Sequence, residues 1–207
     1  MRHMAPTVVE IETPHGLARA HIHAARKARA ALVLGHGAGG GVEAPDLVTA
    51  RDVALETGLT VAVVEQPYRV AGRRSPAPAA QLDAAWTAVV GALTKSHLSG
   101  LALLVGGRSA GARVACRTAE ATAAIGVVCL AFPLAPPRRS GTPTSRLPEL
   151  DAVGVPTLVV QGAGDRFGVP PAAPGRTVVV VRGDHSLRSD LGAIGAAIRG
   201  WLAEVVP

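Results

Sequence analysis

A chain of 207 residues, 48% hydrophobic and 17% charged, is long enough to bury a sizeable core and too apolar to stay disordered. A net charge of +6 invites a nucleic-acid partner, but the basic residues are nearly all arginines scattered singly, and aromatics for base stacking make up 2%. Charged or polar residues interrupt every apolar run, "MRHMAPTVVEIETPHG" holds no signal-type core, and two cysteines exclude a disulfide framework, so a cytoplasmic protein with no membrane partner is the expectation.

In chain order, "TVVEIETP" and "GLARAHIHAA" alternate around a Pro-His-Gly turn and predict an antiparallel hairpin. His21 and His23 share one strand face; without a third ligand they read as a solvated face, not a metal site. Strands are then predicted at 30–35, 59–65, 101–106, 124–131, 156–162 and 176–183, and helices over 45–57, 79–96, 110–121 and 189–204. The strands are nearly continuous Val/Leu/Ile runs, the pattern of strands buried on both faces. Their alternation with helices predicts an α/β protein with a mostly parallel sheet flanked by helices. Two proline-rich connections, 66–80 and 132–150, are followed by further strands, so residues 1–207 read as a single domain without a large lid. Cys116 and Cys129 lie in apolar runs and read as small packed hydrophobes.

After the strand at 30–35 comes "GHGAGGG", which fits the dinucleotide fingerprint G-x-G-x-x-G and also a backbone oxyanion loop. A dinucleotide fold opens on its glycine loop and places the third glycine in the helix that follows at once. Here a hairpin comes first, and Pro45, suited to the first helical turn, leaves the glycines in an extended loop.

"LALLVGGRSAGARVA" places a G-x-S-x-G, Gly107 to Gly111, between a buried strand and a helix, the context of a nucleophile elbow. A serine hydroxyl needs a base, and the base an orienting acid. Asp165 follows the strand at 156–162, with Glu149 and Asp151 as alternatives from the preceding connection. His185 follows the last strand and is the only histidine after Ser109. The order Ser109, Asp165, His185 is the one this architecture demands. The glycine loop then supplies one oxyanion donor, the Ala38 N–H, and Ala110 supplies the other. Asp184 reads as a residue that orders its loop, and Arg108 as an anchor for a neighbouring loop. Arg69, Arg73 and Arg74 cluster near the rim of the site; they are candidates to contact an anionic group on the substrate, against a solvated arginine-rich loop.

The stretches "HGAGGG", "GGRSAGAR", "FPLAPP", "VPTLVVQGAGDRFG" and "GDHSL", spread over residues 8–205, resemble the α/β-hydrolase fold, in particular its dienelactone hydrolase-like branch. They are similar also to a compact hydrolase-like group whose eukaryotic members include chromatin-complex subunits. The resemblance implies that fold and the Ser109, Asp165, His185 positions. Dienelactone hydrolases carry a cysteine where Ser109 stands. The expected activity is hydrolysis of a small ester or thioester through an acyl-enzyme, with no metal and no organic cofactor. The alternatives are a catalytically silent hydrolase-fold binding protein and an acyltransferase on the same residues.

Overall fold

The computed structural model describes residues 5–135 and 144–207. The hairpin comprises β1 (Thr7–Thr13) and β2 (Gly16–His23). After it come β3 (Ala30–Gly35), α1 (Pro45–Glu56), β4 (Leu59–Glu65), the short α2 (Pro67–Val70) and α3 (Ala79–Thr94). The second half contains β5 (Ala102–Arg108), α4 (Ala110–Thr118), β6 (Gly126–Leu130), α5 (Leu147–Asp151), β7 (Thr157–Gly162), β8 (Arg176–Val181) and α6 (Leu191–Val205). Part of the expected connection at 132–150, including the end of "FPLAPP", lies outside the described residues.

One eight-stranded sheet runs in the order β1-β2-β4-β3-β5-β6-β7-β8. β2 is antiparallel to both β1 and β4, and the pairings from β4 to β8 are parallel. The near-continuous apolar strands follow from two cores. On one face, Ala31 and Val33 of β3 join Trp86, Val89 and Leu93 of α3 and Val114 of α4. On the other, Leu32 and Leu34 join Leu47 of α1 and Ile194, Ile198 and Trp201 of α6. Every residue of β3 is therefore buried. Full burial of such a side chain contributes roughly 1.5–3 kcal/mol, more than an N-cap, and Ala44 at the N-cap of α1 has no side-chain bond to offer. Packing, rather than capping, holds that helix.

The centre of the sheet is built on glycine. A Cβ on Gly107 would collide with the Gly35 carbonyl oxygen, and one on Gly111 with the Gly35 and His36 carbonyl oxygens. Gly106 is blocked in the same way by Val128 O. β3, β5 and the start of α4 thus meet backbone to backbone. Away from the centre, Arg113 of α4 is bound by Glu149 of α5, and Arg117 by both Asp83 of α3 and Glu149.

Candidate active site

β3, β5, β6, β7 and β8 are successive parallel strands, so the loops at their carboxyl ends lie along one edge of the sheet. The chain there places Ser109 at φ 52°, ψ −107°, a conformation that side-chain-bearing residues avoid. The turn is held by the Ser109 N–H donating to Leu130 O at 2.9 Å. It leaves the hydroxyl partly exposed beyond the strand end.

The His185 ring lies between Ser109 and Asp165. Its Nε2 is 3.0 Å from Ser109 Oγ, and its Nδ1 is 2.7 Å from Asp165 Oδ2. The partners assign the tautomer: a carboxylate only accepts, so Nδ1–H donates to it and Nε2 is left to accept from the serine hydroxyl. Asp165 is buried, and its side chain has no solvent exposure. Oδ1 accepts from the Phe167 N–H at 2.9 Å, and Oδ2 accepts from Gln161 Nε2 at 2.8 Å. Such a relay can take the hydroxyl proton at Nε2 as the oxygen attacks a carbonyl, while the carboxylate stabilises the imidazolium.

The two loops are fastened to each other and to the sheet. The Gly164 N–H donates to Gly183 O at 2.8 Å. Gly162 leaves no room for a Cβ beneath the Gly183 and Asp184 carbonyls. Leu187 is fully buried and anchors the His185 loop from below. Asp184 accepts from both the N–H and the hydroxyl of Ser186, which hold it below the ordinary carboxylate range. Asp184 thus orders the loop, as its place beside His185 led us to expect. Glu149 and Asp151, the alternative acids, are bound by Arg113 and Arg117 and by Arg176.

The glycine loop is held by His36. Its ring Nδ1–H donates to Gly37 O at 2.8 Å, and Nε2 accepts from the Gln66 N–H at 3.1 Å. Tyr68 packs edge-on to the ring and donates its hydroxyl to Ala38 O at 3.1 Å. A Cβ on Gly37 would stand 3.6 Å from Ser109 Cβ, which places the loop beside the serine. Gly39, Gly40 and Gly41 have open space where side chains would project. Ala110 is the first residue of α4, so its N–H has no acceptor within the helix.

Burial lowers the pKa of His36 from its ordinary 6.5, and a proton on Nε2 would face the Gln66 N–H. Its folded-state pKa lies below the unfolded one. The stability of its neutral form is therefore complete above about pH 6.5 and is lost as pH falls from there through the folded value. His23 is shifted the same way. Replacing His36 by Gln should cost stability at neutral pH, and the gap from wild type should narrow on acidification. Thermal melts of both proteins at about pH 7.5 and 5.5 measure this; a gap that widens contradicts it.

Three residues that support the relay escaped the sequence reading. Gln161 carries no motif label, and Phe167, 4.4 Å from the His185 ring centroid, looks like an ordinary apolar residue. Asp46, fully buried, faces Arg108 Nε at 2.9 Å, and burial raises its pKa against the pull of that cation. Of Arg69, Arg73 and Arg74, Arg73 lines a cavity of about 270 Å³ between the hairpin turn, α2 and the start of α3, and Arg69 and Arg74 do not line it; none of Ser109, Asp165 and His185 lines that cavity. A second cavity of about 190 Å³, next to the relay, is lined by Gly39, Gly40, Asp46, Arg108, Ser186 and Arg188. Cys116 and Cys129 are both buried, with Sγ atoms 3.4 Å apart. His21 is bound to Glu65, and the described residues contain no group of three or more metal-ligand side chains. No helix among them is long and apolar enough to cross a membrane.

The family model for the alpha/beta hydrolase domain matches residues 28–192. Among solved structures, a serine hydrolase without a lid from Xanthomonas campestris is 16% identical, with a TM-score of 0.80 over 100% of this chain and 98% of its own. Est1E from Butyrivibrio proteoclasticus is 14% identical, with a TM-score of 0.76 over 96% and 98%. A dienelactone hydrolase from Anabaena variabilis is 15% identical, with a TM-score of 0.74 over 100% and 99%. At such identities the likeness is one of fold. No curated protein matches the chain in sequence.

Proposed function

Because the chain belongs to the alpha/beta hydrolase family, we propose that it is a serine hydrolase that cleaves a small ester or thioester through an acyl-enzyme on Ser109. The observation that carries this reading is the unbroken chain from Ser109 Oγ through His185 to a buried, fully bonded Asp165, at 3.0 and 2.7 Å. An ordinary serine at a strand-helix turn has no need of a strained backbone or of a histidine oriented by a dry carboxylate.

Ser109 Oγ attacks the substrate carbonyl carbon as His185 Nε2 takes its proton. The C=O electron pair moves onto oxygen, and the Ala38 and Ala110 N–H groups stabilise that oxyanion. His185 then returns the proton to the departing alcohol or thiol. Water, activated by the same nitrogen, attacks the acyl-serine and releases the acid. The Xanthomonas neighbour is described as lacking a lid. An uncovered serine of that kind favours small or extended acyl groups over long chains that need a tunnel.

The test is intact-mass analysis after treatment with a fluorophosphonate. One adduct on wild type and none on Ser109→Ala is the expected result, to be followed by a screen of short-chain esters and thioesters. A folded wild type that takes no label would overturn the serine-hydrolase reading and direct attention to binding.

A further inference from the structure

Arg108 stands between the glycine pair of β5 and Ser109, and the reaction as written gives it no part. Its guanidinium nevertheless reaches three separate segments. Nη2 donates to the main-chain carbonyl of His185 at 2.8 Å. Nε faces Asp46, at the start of α1, at 2.9 Å. Nη1 lies 2.8 Å from where a Cβ on Gly37 would stand, so a side chain there would press on the guanidinium. The Asp46 side chain is wholly shielded from solvent and that of Arg108 is only 16% exposed. An ion pair shielded to this degree is screened little by solvent.

Asp165 fixes the Nδ1 side of the His185 ring but makes no bond to the main-chain carbonyl of His185. The Arg108–His185 contact supplies that second point. The contact of Nε with Asp46 ties the same guanidinium to the start of α1, where the loop that carries Ala38 ends. We propose that Arg108 is a positioning residue for the reaction, its planar fork setting both His185 and the oxyanion loop against the serine that follows it in the chain. This rests on the serine-hydrolase reading. Charge alone does not do it: a lysine would neutralise Asp46, but one ammonium cannot span Asp46 and the His185 carbonyl together.

The experiment compares wild type with Arg108→Lys, and with the pair Arg108→Gln and Asp46→Asn, which leaves no unpaired buried charge. Hydrolysis of 4-nitrophenyl acetate, the rate of fluorophosphonate labelling and the thermal midpoint are measured for each. The expected result is a fall in kcat of roughly 10- to 100-fold, KM within about threefold, and a matching fall in labelling rate, with complete labelling at long times. A residue that serves only stability lowers the thermal midpoint and leaves kcat per titrated site at the wild-type value. That outcome in either variant overturns the positioning role and leaves the serine-hydrolase reading intact. No label on wild type overturns both.

Discussion

Ser109→Ala is expected to lower kcat by at least about 10⁴-fold, and His185→Ala by a similar amount. The reason is geometric: the hydroxyl gives its proton to Nε2 across 3.0 Å while the carboxylate holds Nδ1–H at 2.7 Å, so serine and aspartate both act through one imidazole and losing a member disables the others. The double variant should therefore be no slower than either single one, whereas two independent contributors would multiply. Asp165→Asn should cost about 10⁴-fold, because an amide nitrogen facing Nδ1 favours the wrong tautomer. A further variant separates chemistry from strain. At φ 52° Ser109 is in a conformation only glycine adopts freely, and such strain costs on the order of 1–3 kcal/mol. Ser109→Gly should be as inactive as Ser109→Ala yet melt roughly 2–4 °C or more higher. Activity in Ser109→Ala within tenfold of wild type would remove the serine from the mechanism.

The largest effect on stability is expected at Gly111. Adding one methyl there drives a Cβ into the carbonyls of Gly35 and His36, all of it main chain of the central strand and its exit. Side chains give way to a new methyl; a strand paired on both sides does not. Gly111→Ala should cost about 3 kcal/mol or more, a fall of roughly 6–12 °C in the thermal midpoint. Gly91, within α3, has nothing within 4 Å of its would-be Cβ. Gly91→Ala should raise stability by up to about 1 kcal/mol through helix propensity. Equal midpoints for the two alanine variants would show that the elbow has slack it is not credited with.

The parallel core was legible because its strands are uniform: "AALVLG" and "PTLVVQG" have no polar face to confuse their period, and the structure gives strands at Ala30–Gly35 and Thr157–Gly162. Pro45 marked the start of α1 by its own stereochemistry. The short helices α2 and α5 were not anticipated, since prolines and single turns hide any period. At the site, residue order and strand-helix context identified Ser109, Asp165 and His185, which the structure brings within hydrogen-bonding reach of one another. Their supports were not legible in the same way. Gln161 is buried near the end of a strand that is otherwise mostly apolar, and nothing in its spelling says that it reaches Asp165. Asp46 looks like a common acidic residue in the first turn of a helix, and only tertiary contact makes it the partner of Arg108. The place of Gly37 beside the Arg108 guanidinium was likewise not legible, while Gly39 to Gly41 face open space.

The position of β3 between β4 and β5 also governs the order in which a growing chain can assemble. The β1–β2 hairpin leaves the ribosome ahead of its docking partner β4, which follows only after β3 and α1. At about 5–20 residues per second the hairpin waits seconds with one apolar face uncovered. β3 is then enclosed only when β5 arrives, and β5 carries the elbow. Leu130, whose carbonyl holds the elbow turn, follows with β6, and the loop that carries His185 comes later still. On the proposed mechanism, a chain arrested ahead of His185 has Ser109 without its base and is expected to be inactive toward acyl compounds around it.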